Sequence, residues 1–111
     1  MGKLVRDRIP ELIEKSGKKP IYHRAHYTEI DQLLKDKLFE EINEFLEAKT
    51  SMEKLEEAAD IYEVLTNMLF KYGFIARDLL AKAEDKRFER GAFIKAYVLE
   101  GVEECNTQQN N

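Results

Sequence analysis

The residues best equipped for chemistry are acidic: Glu40-Glu41-x-x-Glu44 and, after a spacer of twelve residues, Glu57-x-x-Asp60. Residues three apart share a helical face, so on two helices each motif aims a pair of carboxylates at one point. Carboxylates that converge in a partly dry groove repel one another and lose hydration, so they must take up protons or bind cations. Hard oxygen donors suit Mg²⁺, with Mn²⁺ as an alternative, and such ions dock substrate phosphates. Either motif alone is common on a solvated helix face, whereas the two at hairpin distance are less easily accidental.

The elements that must position these acids read as helices. Ile30, Leu34, Leu38, Ile42, Phe45 and Leu46 recur at spacings of three and four, which predicts an amphipathic helix from about Glu29 to Ala48, capped by Thr28 with Asp31. At about 100° per residue, Glu41 lies roughly 60° and Glu44 roughly 120° from the centre of the Leu38 stripe, and Glu40 points nearly the opposite way. Glu41 and Glu44 are thus better metal ligands than Glu40.

Thr50 with Glu53 forms a second capping box and opens a helix whose inward stripe is Leu55, Ala58, Ala59, Tyr62, Leu65 and Leu69. Its second half is apolar nearly all round, which predicts burial on more than one side, and Gly73 is its natural stop. Shorter helices are expected from Asp7 to Lys15, with Asp7 as cap, and from Ile75 to about Lys86, with Leu79, Leu80 and Ala83 inward. Gly91 to Leu99 fits helix or strand equally, and 106–111 reads as a flexible polar tail. The fold class is therefore all-α: an antiparallel bundle of four to five helices in a single domain over 1–105. A chain of 111 residues leaves much surface exposed, so completion as a homodimer or homotetramer is expected.

Composition removes several function classes. A net charge of −4 and an acidic pI exclude a polymer of nucleic acid as main partner, although small phosphorylated ligands need only a few local cations. No apolar run reaches a membrane-spanning length, and the N-terminal residues carry no apolar signal core. With one cysteine, Cys105, in a polar context, neither a disulfide framework nor a catalytic thiol is indicated, and a cytoplasmic setting is expected. His23-x-x-His26 lacks a third ligand and reads as surface. Near the end, Lys86 and Arg90 stand four apart, a spacing that lets a lysine and an arginine share a helix face toward a polyphosphate, or simply complement a helix dipole.

Taken in order, Lys3-Leu4-Val5-Arg6-Asp7-Arg8-Ile9-Pro10, Lys37-Leu38-Phe39-Glu40-Glu41-Ile42-Asn43-Glu44, Glu56-Glu57-Ala58-Ala59-Asp60 and Lys86-x-x-x-Arg90-Gly91-x-Phe93 resemble the MazG-like all-α nucleotide pyrophosphohydrolases, in particular the phosphoribosyl-ATP pyrophosphohydrolase-like branch. The resemblance implies metal ligation by Glu41, Glu44, Glu57 and Asp60, and phosphate binding by Lys86 and Arg90. It implies Mg²⁺-dependent cleavage of a nucleoside triphosphate to monophosphate and pyrophosphate, with Glu41 or Glu44 as general base. Arg6 either lies near a phosphate or belongs to a packed N-terminal helix. The alternatives are hydrolysis of phosphoribosyl-ATP and a non-catalytic nucleotide-sensing or oligomerisation module.

Overall fold

The computed structural model describes residues 2–105. Among them the chain is all-helical, with α1 over Ile9–Lys15, α2 over Tyr27–Glu47, α3 over Ser51–Phe70 and α4 over Ala76–Arg90, and no strand. None of these helices is long and apolar enough to cross a membrane. The chain divides into two compact units, Met1–Leu79 and Leu80–Asn111.

The first unit is built on the α2–α3 hairpin. Its turn is short because both helix ends are satisfied locally. Thr50 Oγ1 accepts from Glu53 N at 3.1 Å, while Glu53 Oε1 accepts from Thr50 N at 3.2 Å and from Lys49 N at 3.0 Å. Lys54, one turn into α3, reaches back to donate to the α2 carbonyls of Phe45 at 2.6 Å and Leu46 at 3.1 Å. Its ammonium also stands 5.0 Å from the Phe45 ring centroid. One lysine therefore closes the exposed end of α2 and ties it to α3. At the far end Lys71 holds both carboxylate oxygens of Asp31 at 2.8 Å.

Several expectations change. Asp7 does not cap α1; Arg8 holds that position without a capping bond from its side chain, which donates to Glu11 Oε2 at 3.1 Å. The cap of α2 is His26 rather than Thr28. Its Nδ1 accepts from Thr28 N at 3.3 Å and Glu29 Oε2 accepts from His26 N at 3.1 Å, so an imidazole performs the task assigned to a hydroxyl. Helix α4 runs on to Arg90, where Gly91 at φ +86° ends it, and Leu80 and Ala83 are exposed rather than inward. Residues 91–99 are neither helix nor strand, and the 106–111 tail lies outside the described residues.

The largest correction concerns α3. Leu55 of the expected inward stripe is 63% exposed, whereas Val64 is buried. The face turned toward α2 is thus the one that carries Asp60 and Val64, one turn apart. The apolar second half is only half-buried at Ile61, Tyr62, Leu65, Met68 and Leu69, and Phe70 is exposed, because a two-helix hairpin covers one side of each helix.

In the second unit the α4 end is followed by an irregular segment with one turn, closed by Ala96 N donating to Phe93 O at 3.1 Å. Phe93, Ile94, Tyr97, Val98, Leu99 and Val102 are exposed there.

Replacing Thr50 with alanine removes the hydroxyl acceptor of the α3 cap. Urea denaturation is expected to show a loss of about 1 kcal/mol with an unchanged m-value. A loss below about 0.3 kcal/mol would show that the turn does not depend on this cap.

Candidate metal centre in the helical hairpin

In an antiparallel hairpin, residues equally far from the turn stand at the same level. Glu41 and Glu57 are such a pair, each six residues from the turn end of its helix, with Glu44 three residues nearer the turn and Asp60 three residues farther from it. The level pair and its neighbours one turn away bring the carboxylates together. Oxygens of Glu41, Glu57 and Asp60 lie within 4.8 Å of one another, and so do oxygens of Glu40, Glu41 and Glu44.

Glu41 is the centre of both groups and is 5% exposed. Glu57 and Asp60 are half-buried and Glu44 is exposed. Glu41 Oε1 and Glu57 Oε1 are buried and accept no hydrogen bond. A buried carboxylate oxygen without a donor costs on the order of 1–3 kcal/mol or more, so two in one cluster call for a proton or a cation. Loss of hydration pushes Glu57 up to about 7, helped by the carboxyls of Glu41 and Glu44 and by the charge of Asp60. Glu44 is raised too, by lost hydration and then by the Glu41 charge. Burial also works to raise Glu40, but Lys3 at 3.1 Å and Lys37 at 3.5 Å outweigh it and hold that carboxyl below its ordinary range.

Around this cluster the chain supplies cations of its own. Lys37 Nζ stands 3.3 Å from Glu41 Oε2, with its side chain mostly covered. The N-terminal segment before α1 crosses both helices: Lys3 pairs with Glu40 on α2, and Arg6 Nη2 donates to Asp60 Oδ1 on α3. Leu4 to Arg8 wall a cleft of about 440 Å³ together with Leu34, Lys37, Glu41, Asp60, Glu63, Val64 and Asn67.

Among the residues singled out from sequence, the structure brings Glu41, Glu44, Glu57, Asp60 and Arg6 into one neighbourhood of the first unit. Arg6 lies in the crossing segment and not in α1. Lys86 and Arg90 belong to the second unit, where both are exposed on the C-terminal turns of α4. Glu40, set aside on helical-wheel grounds, joins the cluster because its long side chain bends toward Lys3 and Lys37. Lys37 was missed, although its position four residues before Glu41 signals an ion pair on one helix face. His23 lies 3.6 Å from Glu29 Oε1, and His26 serves as the helix cap.

The donor set fits a hard divalent cation. It offers oxygen ligands alone, more than one carboxylate within reach of a single point, and two buried oxygens that nothing else satisfies. Comparison with protein families, with curated proteins and with solved structures returns no match to this chain.

Because Glu57 is raised from 4.5 to about 7, its protonated form is the one the cation-free fold prefers. That contribution is fully present below about 4.5 and is lost as pH rises through about 7. In EDTA, the melting midpoint should fall across this window, E57Q should flatten the fall, and Mn²⁺ should reverse it at the upper end. A wild-type midpoint that is flat or rising there, matched by E57Q, would show that Glu57 is not in an acid-crowded site.

Proposed function

We propose that the first unit is a divalent-metal-dependent nucleotide pyrophosphohydrolase, resembling the MazG-like enzymes, that releases pyrophosphate from a nucleoside triphosphate. The observation that carries this reading is the convergence of Glu41, Glu57 and Asp60 oxygens within 4.8 Å, with Glu41 buried and its Oε1 without a donor. Glu41, Glu57 and Asp60 hold the ion in this reading, with Glu44 at the exposed edge. When bound, Mg²⁺ or Mn²⁺ neutralises charge on the phosphates and acidifies a coordinated water.

The remaining steps belong to the chain's own side chains. Glu44 is exposed and lies against Glu41 and Glu57, and its raised proton affinity suits it to accept a proton. The water oxygen bonds to the α-phosphorus, and the bond from that phosphorus to the α–β bridging oxygen breaks. The water proton passes to Glu44, and the bridging oxygen leaves with pyrophosphate. Arg6, which lines the cleft together with Glu41 and Asp60, offers a planar donor fork to the phosphate oxygens. Leu4, Val5, Leu34 and Val64 give that cleft an apolar side.

The test is a panel of ribo- and deoxynucleoside triphosphates and phosphoribosyl-ATP, supplied with Mg²⁺ and read by released pyrophosphate. Turnover of one class names the substrate; no turnover on any, with nucleotide binding retained, would favour a sensing module and overturn the hydrolase reading. Glu41→Gln and Asp60→Asn are each expected to lower kcat by about 100-fold or more with the helical circular dichroism intact. Near wild-type rates in either variant would falsify the ligand assignment.

A further inference from the structure

Lys37 stands where a phosphate ligand would be wanted, yet it is occupied with the acids. Its ammonium bridges Glu41 Oε2 at 3.3 Å and Glu40 Oε1 at 3.5 Å, its side chain is 16% exposed, and it lines the cleft. Arg6 lines the same cleft and pairs with Asp60. Each cation therefore neutralises one carboxylate of the set that would hold the metal. Asp7, Glu41, Asp60 and Glu63 outnumber the cations Arg6, Arg8 and Lys37 along the same walls, so a phosphate meets net repulsion there. A divalent ion on Glu41, Glu57 and Asp60 offsets two negative charges and leaves Lys37 and Arg6 without their full partners.

We infer that Lys37, with Arg6, is a partner-switching phosphate ligand, which neutralises the acids in the cation-free protein and turns to a bound diphosphate group once a divalent ion has taken them over. The inference rests on the metal-dependent reading above and adds an order of binding to it: cation first, anion second. Lys37 is built for the exchange. An ammonium on a four-carbon stem carries three rotatable donors and can leave a carboxylate by side-chain rotation alone. Glu40, which keeps Lys3, does not lose its only cation when Lys37 turns away. A purely structural lysine would stabilise Glu41 in both states and would affect cation and anion binding in the same direction.

The experiment is calorimetry on the full chain, first with Mn²⁺ alone and then with inorganic pyrophosphate on the Mn²⁺-saturated protein. Lys37→Met is expected to bind Mn²⁺ about fivefold or more tighter, because no internal cation has to be displaced. The same variant is expected to bind pyrophosphate about tenfold or more weaker, the effect of one lost charge-assisted hydrogen bond. Lys37→Arg should retain pyrophosphate binding within about threefold, and Lys37→Gln, a milder change with the same loss of charge, should repeat the Met result. Unaltered or weakened Mn²⁺ binding in both neutral variants, with wild type binding normally, would overturn the switch and leave the metal site standing. So would wild-type pyrophosphate affinity that is the same in EDTA as with Mn²⁺. If wild type binds no Mn²⁺ at all, the metal-dependent reading falls and the switch falls with it.

Discussion

Like charges forced together between two packed helices set the terms for everything around them. Glu41 is nearly sealed from water, with oxygens of Glu57 and Asp60 close by, and water cannot screen such neighbours as it does on a surface. Lys37 and Arg6 offset part of the repulsion by pairing with Glu41 and Asp60, and Lys3 steadies Glu40. They do not reach Glu41 Oε1 or Glu57 Oε1. The upward shift of Glu57 has the same origin: lost hydration first, and then the neighbouring carboxyls, favour its protonated form.

Holding the acids in register is the task of the rest of the first unit. The Thr50–Glu53 box fixes where α3 begins, and the Lys54 latch fixes where α2 ends. A shift of one residue in either helix would rotate its carboxylates by about 100° and dissolve the cluster. The Lys71–Asp31 pair joins the opposite ends of the two helices, although, being exposed, it contributes little to stability. The crossing segment from Lys3 to Arg8 adds a third wall, tied to α2 through Glu40 and to α3 through Asp60.

Much of this was legible in the residues. Spacings of three and four gave α2 and α3, the Thr50-x-x-Glu53 pattern gave the cap, and two acidic motifs of equal internal spacing across a short turn gave the meeting of carboxylates. What escaped were features that depend on tertiary context. A histidine cap is read only when its ring is seen turned back on Thr28 N. On α3 hydrophobicity ranks Leu55 above Asp60, whereas the packing of the hairpin exposes Leu55, buries Val64 and half-buries Glu57 and Asp60 alongside Tyr62, Leu65 and Leu69. Glu40 was discounted by the direction of its Cβ, which says little about where two further carbons carry a carboxylate between two lysines.

The covered acids bear on function. A hairpin optimised for folding alone would turn its leucines inward and its carboxylates to water. Here Leu46, Met52 and Leu55 are well exposed while Glu41 is the most deeply covered acid. Burying several apolar side chains in place of these acids would contribute roughly 1.5–3 kcal/mol each, and replacing buried charge by well-packed apolar groups is often stabilising. The arrangement gives up stability that the same residue types, redistributed, would supply. A proton or a cation shared among the acids would offset that loss, because unpaired buried carboxylates are a costly way to fill the space between α2 and α3.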